Sequence, residues 1–217
     1  MDFSFSPEQD DLRREARVFL EANPSPSDAQ LEELGWKGML ASDDFTFLDA
    51  GVLFEELGRV LYEGTFVEDE VGDDPLRLGA AYALVAVGIG GKATELAIAY
   101  ASDREQFGKK IGTYQAISHS IVDAYVAVEL ARSLAYWAAW CVAEGDEQAR
   151  LAVAAAKSQA GEAAVLACEK SIQVHGGIGF TWEHPLHRYY KRALRLEGAL
   201  GYGREHRAEI AQSLLSS

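Results

Sequence analysis

The sequence predicts an all-α protein, and three observations support this prediction. Helix-start signals recur along the chain, a long segment that begins at Ile117 repeats its apolar residues at helical spacing, and the segment from Ala149 to Cys168 is rich in alanine. No segment alternates apolar and polar residues between turn signals, so no strand is predicted. With 217 residues, 48% of them hydrophobic, the chain is long enough to bury a substantial core.

Three short motifs predict where helices begin. The sequence Ser-Pro-Glu-Gln at 6–9 combines an N-cap serine, a proline in the first helical position and a capping-box glutamine. Ser27 predicts a second helix start, and Asp74 followed by proline predicts another. Residues 1–66 are therefore expected to form an N-terminal region of several short helices.

The rest of the chain predicts a C-terminal four-helix bundle over residues 75–217, joined to the first region by an acidic linker at 67–74, VEDEVGDD. One helix of the bundle should bury a single face, because its apolar residues advance by threes and fours. These residues are at positions 117, 121, 124, 128, 131, 135 and 138. The segment 149–168 should be a central helix, because small residues on nearly every face let neighbouring helices approach from several sides.

Charge and composition exclude several classes of partner. Lys and Arg total 20 against 34 Asp and Glu, a formal net charge of −14, so the chain should repel nucleic acid and anionic lipid. The longest uncharged apolar run, Leu78–Gly91, is too short and too rich in glycine to span a bilayer. No basic stretch followed by an apolar one opens the sequence, so we expect a cytoplasmic protein. Cys141 and Cys168 lack metal-ligand spacing and should be buried thiols.

Two familiar site types do not fit this sequence. The stretch GIGGKAT, at 88–94, lacks the preceding strand of a dinucleotide turn and the Ser or Thr of a phosphate loop, so its small residues should serve helix packing. A di-iron bundle needs Glu-x-x-His pairs, and none of the five histidines has Glu three residues before it. We therefore expect no metal, and we expect His184 and His187 to be surface or interface residues.

Two other segments suggest a ligand. The first, DREQFGKKIGTYQAIS at 103–118, gathers basic residues, an aromatic residue and two glycines between two helical segments. The second, QVHGGIGFTWEHP at 173–185, places adjacent glycines where a helix should end, which exposes backbone N–H groups. An ordinary glycine cap would explain the second segment alone. Together the two segments favour a nucleotide with a diphosphate, with Arg104 as its charge partner.

These two segments resemble the C-terminal helical domain of the acyl-CoA dehydrogenases, flavoenzymes that oxidise an acyl-CoA to its 2,3-enoyl-CoA. The stretches MDFSFSPEQDDLRREARVFL, LEELGWKGML and VLFEELGRVL resemble the N-terminal helical domain of the same family. The resemblance implies FAD as cofactor, held by residues that reach across a dimer interface to the neighbouring subunit's flavin. Those residues are Arg104, Gln106, Phe107, Ile111, Tyr114, Gln115, Gln173, Gly176 and Gly177.

The sequence also departs from the family's pattern in ways that bear on catalysis. In the family a β-domain follows the position of Val67, where this chain has only the acidic segment. The family's catalytic glutamate corresponds to Leu200, and its alternative position corresponds to Leu78, with an adjacent substrate-binding arginine replaced by Gly79. Leucine cannot abstract a proton, so no catalytic residue is assigned to this chain.

The resemblance therefore implies the reduced, non-catalytic subunit of a heteromeric acyl-CoA dehydrogenase of the type found in bacterial steroid side-chain degradation. Its partner would be a full-length acyl-CoA dehydrogenase that holds most of the substrate, in an α2β2 heterotetramer with shared FAD. Two alternatives stay open. Glu197 could be a catalytic base in a shifted alignment, or the chain could be a helical interaction protein that binds no flavin.

Overall fold

The computed structural model describes residues 4–216, so Met1 to Phe3 and Ser217, at the ends of the two predicted helical regions, lie outside the described residues. The predicted all-α fold is confirmed. The helices are α1 (Pro7–Ala22), α2 (Asp28–Glu33), α3 (Phe47–Arg59), α4 (Phe66–Val71), α5 (Pro75–Asp103), α6 (Gln115–Glu144), α7 (Ala149–His175), α8 (Leu186–Gly198) and α9 (Gly203–Leu215). Short 3-10 turns lie at Met39–Ala41, Ile111–Thr113 and Gly176–Phe180.

The helix starts lie where the capping motifs predict them. Ser6 Oγ accepts a hydrogen bond from the backbone N–H of Gln9 at 3.2 Å, and Gln9 Oε1 accepts one from the backbone N–H of Ser6 at 3.1 Å. Ser27 begins α2 with the same capping box. Asp74 Oδ1 accepts from the backbone N–H of Leu76 at 2.8 Å and so caps α5. Each cap satisfies amide donors that have no partner within the helix.

Helix α7 is the central helix of the bundle, as its composition predicts. It packs against α5, α6, α8 and α9, and small side chains allow close approach on each of these sides. Its buried alanines are Ala149, Ala152, Ala154, Ala156, Ala160, Ala163, Ala164 and Ala167. Cys141 on α6 and Cys168 on α7 are both buried free thiols, which confirms that prediction.

Helix α3 binds the N-terminal helices to the bundle through an unusually close contact with α5. A Cβ placed on Gly58 would lie 2.1 Å from the backbone oxygen of Val85, and one placed on Gly88 would lie 2.0 Å from the backbone oxygen of Glu55. Any side chain at either position would overlap the facing backbone. The segment 88–94 is therefore helical and packs closely, as predicted, rather than forming a phosphate-binding loop.

Buried charges surround this contact. Glu55 and Glu56 of α3 have side chains only 3% and 1% exposed. Arg132 of α6 donates to Glu55 with an N–O distance of 2.9 Å, and Arg17 of α1 donates to Glu56 at 2.6 Å. Arg59 of α3 pairs with Glu56 at 3.3 Å. Paired charges avoid the large cost of burying an isolated ion, so α1, α3 and α6 are held in one arrangement.

The acidic segment at 67–74, predicted as a linker, includes most of a short helix. Residues Phe66–Val71 form α4, and Phe66, Val67 and Val71 are buried in the main core. The acidic residues Glu68 and Asp69, between these apolar ones, lie on the exposed side of the helix. Only the short stretch from Gly72 to Asp74 connects α4 to α5.

The structure also contains a small ribbon that the sequence did not predict. Residues Glu105–Gln106 (β1) pair antiparallel with Lys109–Lys110 (β2). Two residues per strand are too few for an alternating pattern to show in the sequence. The ribbon is nevertheless important, because it lies within the predicted ligand-binding segment.

Two helices, α5 and α6, are long and apolar enough to cross a membrane by length and composition alone. In α5, 67% of the most apolar window is buried inside the protein, as in a core helix, whereas in α6 the share is 33%. The absence of a membrane partner stays a prediction that rests on the charge of the chain.

We expect Gly88→Ala to lower the free energy of unfolding by about 2 kcal/mol or more, because the new methyl group would overlap the α3 backbone. Gly91→Ala in the same helix is the matched control, because its Cβ would face only the movable ends of Arg132, at 3.3 Å, and Arg59, at 3.7 Å. The control should be neutral or stabilising by up to about 1 kcal/mol. Urea denaturation of the purified protein measures both, and equal effects would contradict the proposed contact.

Candidate functional site

The first predicted ligand-binding segment forms a hairpin at the end of α5. The strands β1 and β2 are joined by Phe107 and Gly108, whose φ angles are +53° and +81°. A two-residue turn with two positive φ angles normally carries Asn-Gly, because a bulky side chain is strained in this conformation. Phe107 is nevertheless 94% exposed at the tip. The hairpin thus presents an aromatic ring to solvent at a cost in both backbone strain and apolar exposure.

Arg104 lies at the base of this hairpin with an exposed side chain. Its backbone is fixed, because its N–H donates to the Tyr100 carbonyl at 2.9 Å and its carbonyl accepts from the N–H of Ile111 at 2.8 Å. Within residues 4–216 its guanidinium makes no hydrogen bond or ion pair. The two lysines of the hairpin differ, since Lys110 donates to the Asp103 carbonyl at 2.8 Å and Lys109 lies 4.2 Å from the centre of the Tyr114 ring. The backbone of Arg104 is therefore fixed, and its guanidinium has no partner among the described residues.

The second predicted segment forms the C-terminal end of α7. The helix ends at His175, and Gly176 follows with a φ of +64°, a conformation that favours glycine. Gly177 comes next, and a Cβ there would meet no atom within 4 Å, so its backbone faces open space. Gln173, in the last turn of the helix, is exposed. This end of α7 can therefore offer an amide side chain and an accessible backbone to a ligand.

The structure brings these two segments to the same end of the bundle. The Tyr100 ring of α5 stacks on the His175 ring of α7 with 4.3 Å between centroids. Beside this stack lies a second small apolar core, in which Ile111 and Tyr114 from the first segment pack with Val174 from the second. The sequence predicted both segments as one site, and the structure places them next to each other.

Most of the predicted cofactor-binding residues face outward. The exposed ones are Arg104, Gln106, Phe107, Gln115, Gln173, Gly176 and Gly177. Tyr114 is half-buried, and its hydroxyl donates to the Gln106 carbonyl at 3.1 Å. Ile111 is only 6% exposed, so its side chain supports the hairpin from inside. An unpaired guanidinium and an accessible glycine backbone at the same end of the bundle are groups of the kind that bind a diphosphate, such as that of FAD.

Leu200, one of the two positions at which the family's pattern would place a catalytic base, lies elsewhere, at a pocket of about 430 Å³. Gly79, from the start of α5, and Leu200, from the turn between α8 and α9, both line this pocket. Leu200 has a φ of +61° and Gly201 a φ of +108°, so the turn has an unusual backbone. The side chains at positions 78, 79 and 200 carry no titratable group. Neither base position therefore provides a carboxylate, and Leu200 is the one of the two that lines this pocket.

Glu197, the alternative base, lies in the last turn of α8 and is half-buried. A Cβ placed on Gly161 of α7 would lie 3.0 Å from the Cα of Glu197, so the two helices are in close contact there. Glu197 is not among the residues that line the pocket containing Gly79 and Leu200. The geometry therefore gives this carboxylate no direct place in that pocket.

Lys157 is a candidate functional residue that sequence reasoning missed. It lines the same pocket, is only 3% exposed, and its ammonium donates to the Leu196 carbonyl at 2.7 Å. Burial lowers the pKa of Lys157 to about 8, although Glu197 nearby acts in the opposite direction. The sequence does contain a sign of this burial. Lys157 lies within the small-residue run AAAKSQAG, where every helix face should be buried.

The histidines near the glycine-rich turn take part in ring contacts. His184 lies with its ring 4.5 Å from that of His175, and His187 meets the Trp182 ring edge-on at 4.7 Å. Burial lowers the pKa of both His175 and His184. Among residues 4–216, no group of three or more His, Cys, Asp or Glu side chains could hold a metal ion.

Comparison with known proteins gives a consistent picture. Residues 78–215 match the family described as acyl-CoA dehydrogenase, C-terminal domain. Acyl-CoA dehydrogenase IpdE2 of Mycobacterium tuberculosis is 41% identical over 107 residues, which are 49% of this chain and 32% of that protein. The chain thus spans about a third of the length of this curated relative.

Solved structures show similar folds. A steroid ACAD described as Tcur3481-Tcur3483 is similar with a TM-score of 0.60 and 28% identity, over 74% of this chain and 40% of that one. The ChsE4-ChsE5 complex from Mycobacterium tuberculosis contains a chain that aligns with a TM-score of 0.88 at 18% identity. That alignment covers 100% of this chain and 100% of that one, and it supports the fold.

The buried lysine predicts a specific pH dependence of stability. The pKa of Lys157 falls from 10.5 in the unfolded chain to about 8 in the folded protein. Between pH 8 and 10.5 the unfolded chain therefore binds more protons than the folded protein. The lysine therefore destabilises the fold at pH 7, and this penalty disappears as the pH rises through 8 to 10.5. Burial raises the pKa of Cys168 to about 12, so the contribution of Cys168 to stability falls as the pH rises. The effect of Lys157 is therefore measured as the difference in stability between the wild type and a variant that lacks Lys157.

We expect the stability of Lys157→Met minus that of the wild type to decrease across this pH range. Urea denaturation at pH 7, 8.5 and 10 measures the difference. A difference that does not change with pH would show that Lys157 titrates normally.

Proposed function

The chain belongs to the acyl-CoA dehydrogenase family, and we propose that it is the non-catalytic subunit of a heteromeric, FAD-dependent acyl-CoA dehydrogenase. Its role is to complete the FAD site of a full-length dehydrogenase subunit across their interface. The reaction of the complex is the 2,3-desaturation of an acyl-CoA.

The observation that carries this proposal is the outward-facing half-site at the end of the bundle. The backbone of Arg104 is fixed by two hydrogen bonds and its guanidinium is unpaired within the described chain, at the same end of the bundle as the open backbone of Gly177. A cofactor held on such a surface is enclosed only when a second chain covers its other side. Phe107, strained and almost fully exposed beside Arg104, is then an element that binds the partner and becomes buried in the complex.

The chemistry of the reaction gives the two chains different roles. Desaturation removes a proton from the α-carbon of the thioester, which requires a carboxylate within hydrogen-bond reach. This chain has Leu78 and Leu200 at the corresponding positions, so the partner must supply the carboxylate. Bound FAD would supply the two-electron oxidant. Arg104 would hold the cofactor's diphosphate in place through charge-assisted hydrogen bonds.

The assembly proposed is an α2β2 heterotetramer, and the substrate class proposed is a steroid side-chain CoA thioester bound mainly by the partner. The similar structures described as the ChsE4-ChsE5 complex and as the Tcur3481-Tcur3483 steroid ACAD each have two named components. Exposed apolar side chains on α6 would be covered in such an assembly. They are Val122, Tyr125, Val126 and Leu130. The absence of nucleic-acid binding stays a prediction from the charge of −14, and the cytoplasmic location stays a prediction from the N-terminal sequence.

Two alternatives make different predictions. If Glu197 is a catalytic base, this chain holds an active site of its own. If the chain is a flavin-free interaction protein, Arg104 has no ligand and its removal changes nothing in the partner's flavin. The next two experiments separate these cases.

Arg104→Ala should weaken FAD binding in the copurified complex by about 1.5–3 kcal/mol, because it removes a charge-assisted hydrogen bond. Lys109→Ala is the matched control, since it removes the same charge from the same hairpin. FAD affinity is measured by titrating the apo-complex, and excess FAD should restore Arg104→Ala activity. An unchanged affinity in Arg104→Ala would favour the interaction protein.

Glu197→Gln should leave the turnover of the complex nearly unchanged, because the base is in the partner. Replacing the partner's catalytic glutamate by glutamine should reduce turnover by orders of magnitude. Steady-state kinetics with saturating FAD measures both. Loss of turnover in Glu197→Gln with FAD still bound would make this chain catalytic.

A further inference from the structure

We propose that the exposed face of α8, together with Trp182, binds an acidic segment of a protein partner that also carries apolar side chains. We call this face the α8 surface, and it consists of Trp182, Arg188, Lys191, Leu194 and Arg195. The charge, exposure and spacing of these residues support the proposal independently of the function proposed above.

Helix α8 concentrates positive charge in a chain that is otherwise strongly acidic. Its 13 residues include Arg188, Lys191, Arg192 and Arg195, against the single carboxylate of Glu197. The whole chain has 34 Asp and Glu against 20 Lys and Arg. The local field at this helix therefore attracts anions, whereas the field of the whole chain repels them.

The helix presents these cations on one side and packs on the other. Arg188, Lys191 and Arg195 follow one another at intervals of three and four, so they share a face, and all three are exposed. The hydroxyl of Tyr189 donates to the Arg59 carbonyl at 2.6 Å and fixes the helix on the protein. The buried residues of α8 are Leu186, Tyr189, Ala193 and Leu196.

The cations of the α8 surface are largely free of counter-ions. Among the described residues, the one carboxylate within ion-pair distance of them is that of Glu63, which lies 3.9 Å from Arg188. The two side chains of this pair are 59% and 76% exposed, so water screens their attraction. Lys191 and Arg195 have no carboxylate partner in residues 4–216. Their charges are therefore available to a partner.

Apolar groups lie among these charges. Trp182 is 83% exposed, with the ammonium of Lys191 at 4.8 Å from its ring centre and the ring of His187 edge-on at 4.7 Å. Leu194, one helical turn after Lys191, is 42% exposed. Exposed Trp and Arg side chains are the residues most enriched where protein partners bind tightly. The surface therefore has an apolar centre and a charged rim, as protein interfaces do.

This composition favours a protein segment over other anions. Nucleic acid and anionic membranes are extended, and the net charge of −14 would repel the parts of them that reach beyond α8. A short acidic segment meets only the local positive field. Its apolar side chains would cover Trp182 and Leu194, which an isolated phosphate group would leave in water.

The probe for the α8 surface is a random copolymer of glutamate and tyrosine that carries a fluorescent label. Its affinity is measured by fluorescence anisotropy during titration with the purified full chain. The wild type should bind it at low salt. The affinity should fall about tenfold or more between about 20 mM and about 200 mM salt, because salt screens exposed charges.

Lys191→Glu and Arg195→Glu should each lower the affinity at low salt about tenfold or more, because each reverses a charge at the surface. Trp182→Ser should lower it about tenfold at both salt concentrations, because salt does not screen an apolar contact. Arg14→Glu is the matched control, since Arg14 lies on α1, has a side chain that is 67% exposed, and undergoes the same change of charge. The control should bind the copolymer like the wild type.

Failure of the copolymer to bind, or equal losses of affinity in Arg14→Glu and in the α8 variants, would overturn the proposal. Tighter binding to vesicles that contain phosphatidylglycerol would also overturn it in favour of a membrane, and displacement by micromolar pyrophosphate would overturn it in favour of a phosphate site. Arg195→Glu keeps the test decisive if loss of the contact between Lys191 and Trp182 disturbs the fold. None of these measurements involves FAD or the dehydrogenase partner, so failure here leaves the proposed subunit role untouched.

Discussion

The close contact between α3 and α5 at Gly58 and Gly88 is the constraint on which the rest of the structure depends. It lets the two backbones approach so nearly that neither position can carry a side chain. The approach buries Glu55 and Glu56, and their partners on α1, α3 and α6 must then lie in fixed positions to compensate the charge. In this way the N-terminal helices pack directly on the bundle, with only α4 and a short turn where the family has an inserted β-domain.

Under the proposed function, that direct packing would let the chain keep one side of a cofactor site without a β-domain of its own. The hairpin at Arg104 and the glycine turn at Gly176 belong to the bundle itself, where the stacked rings of Tyr100 and His175 hold them together. Neither needs the missing domain for its position. The pocket around Gly79 and Leu200 has leucine at one position where the family's pattern would place a base and glycine where it would place a substrate-binding arginine, and the buried Lys157 also lines it.

The sequence predicted those features that depend on local interactions. The capping motifs at Ser6, Ser27 and Asp74 marked helix starts correctly, because a cap involves only residues within one turn. Features that depend on distant contacts were missed. Helix α4 owes its order to burial of Phe66 and Val71 in the main core, and Lys157 is buried because α8 ends against it. The ribbon was missed because its turn carries Phe-Gly where Asn-Gly is usual.

We propose that this chain supplies one side of a flavin site and that the partner supplies the rest. The most direct measurement is the number of FAD molecules per complex, from flavin absorbance after release and from the mass of the copurified assembly in solution. We expect one FAD for each pair of unlike chains, because only the full-length partner can enclose the cofactor. Two FAD molecules per pair would contradict it, because this chain would then hold a complete site of its own.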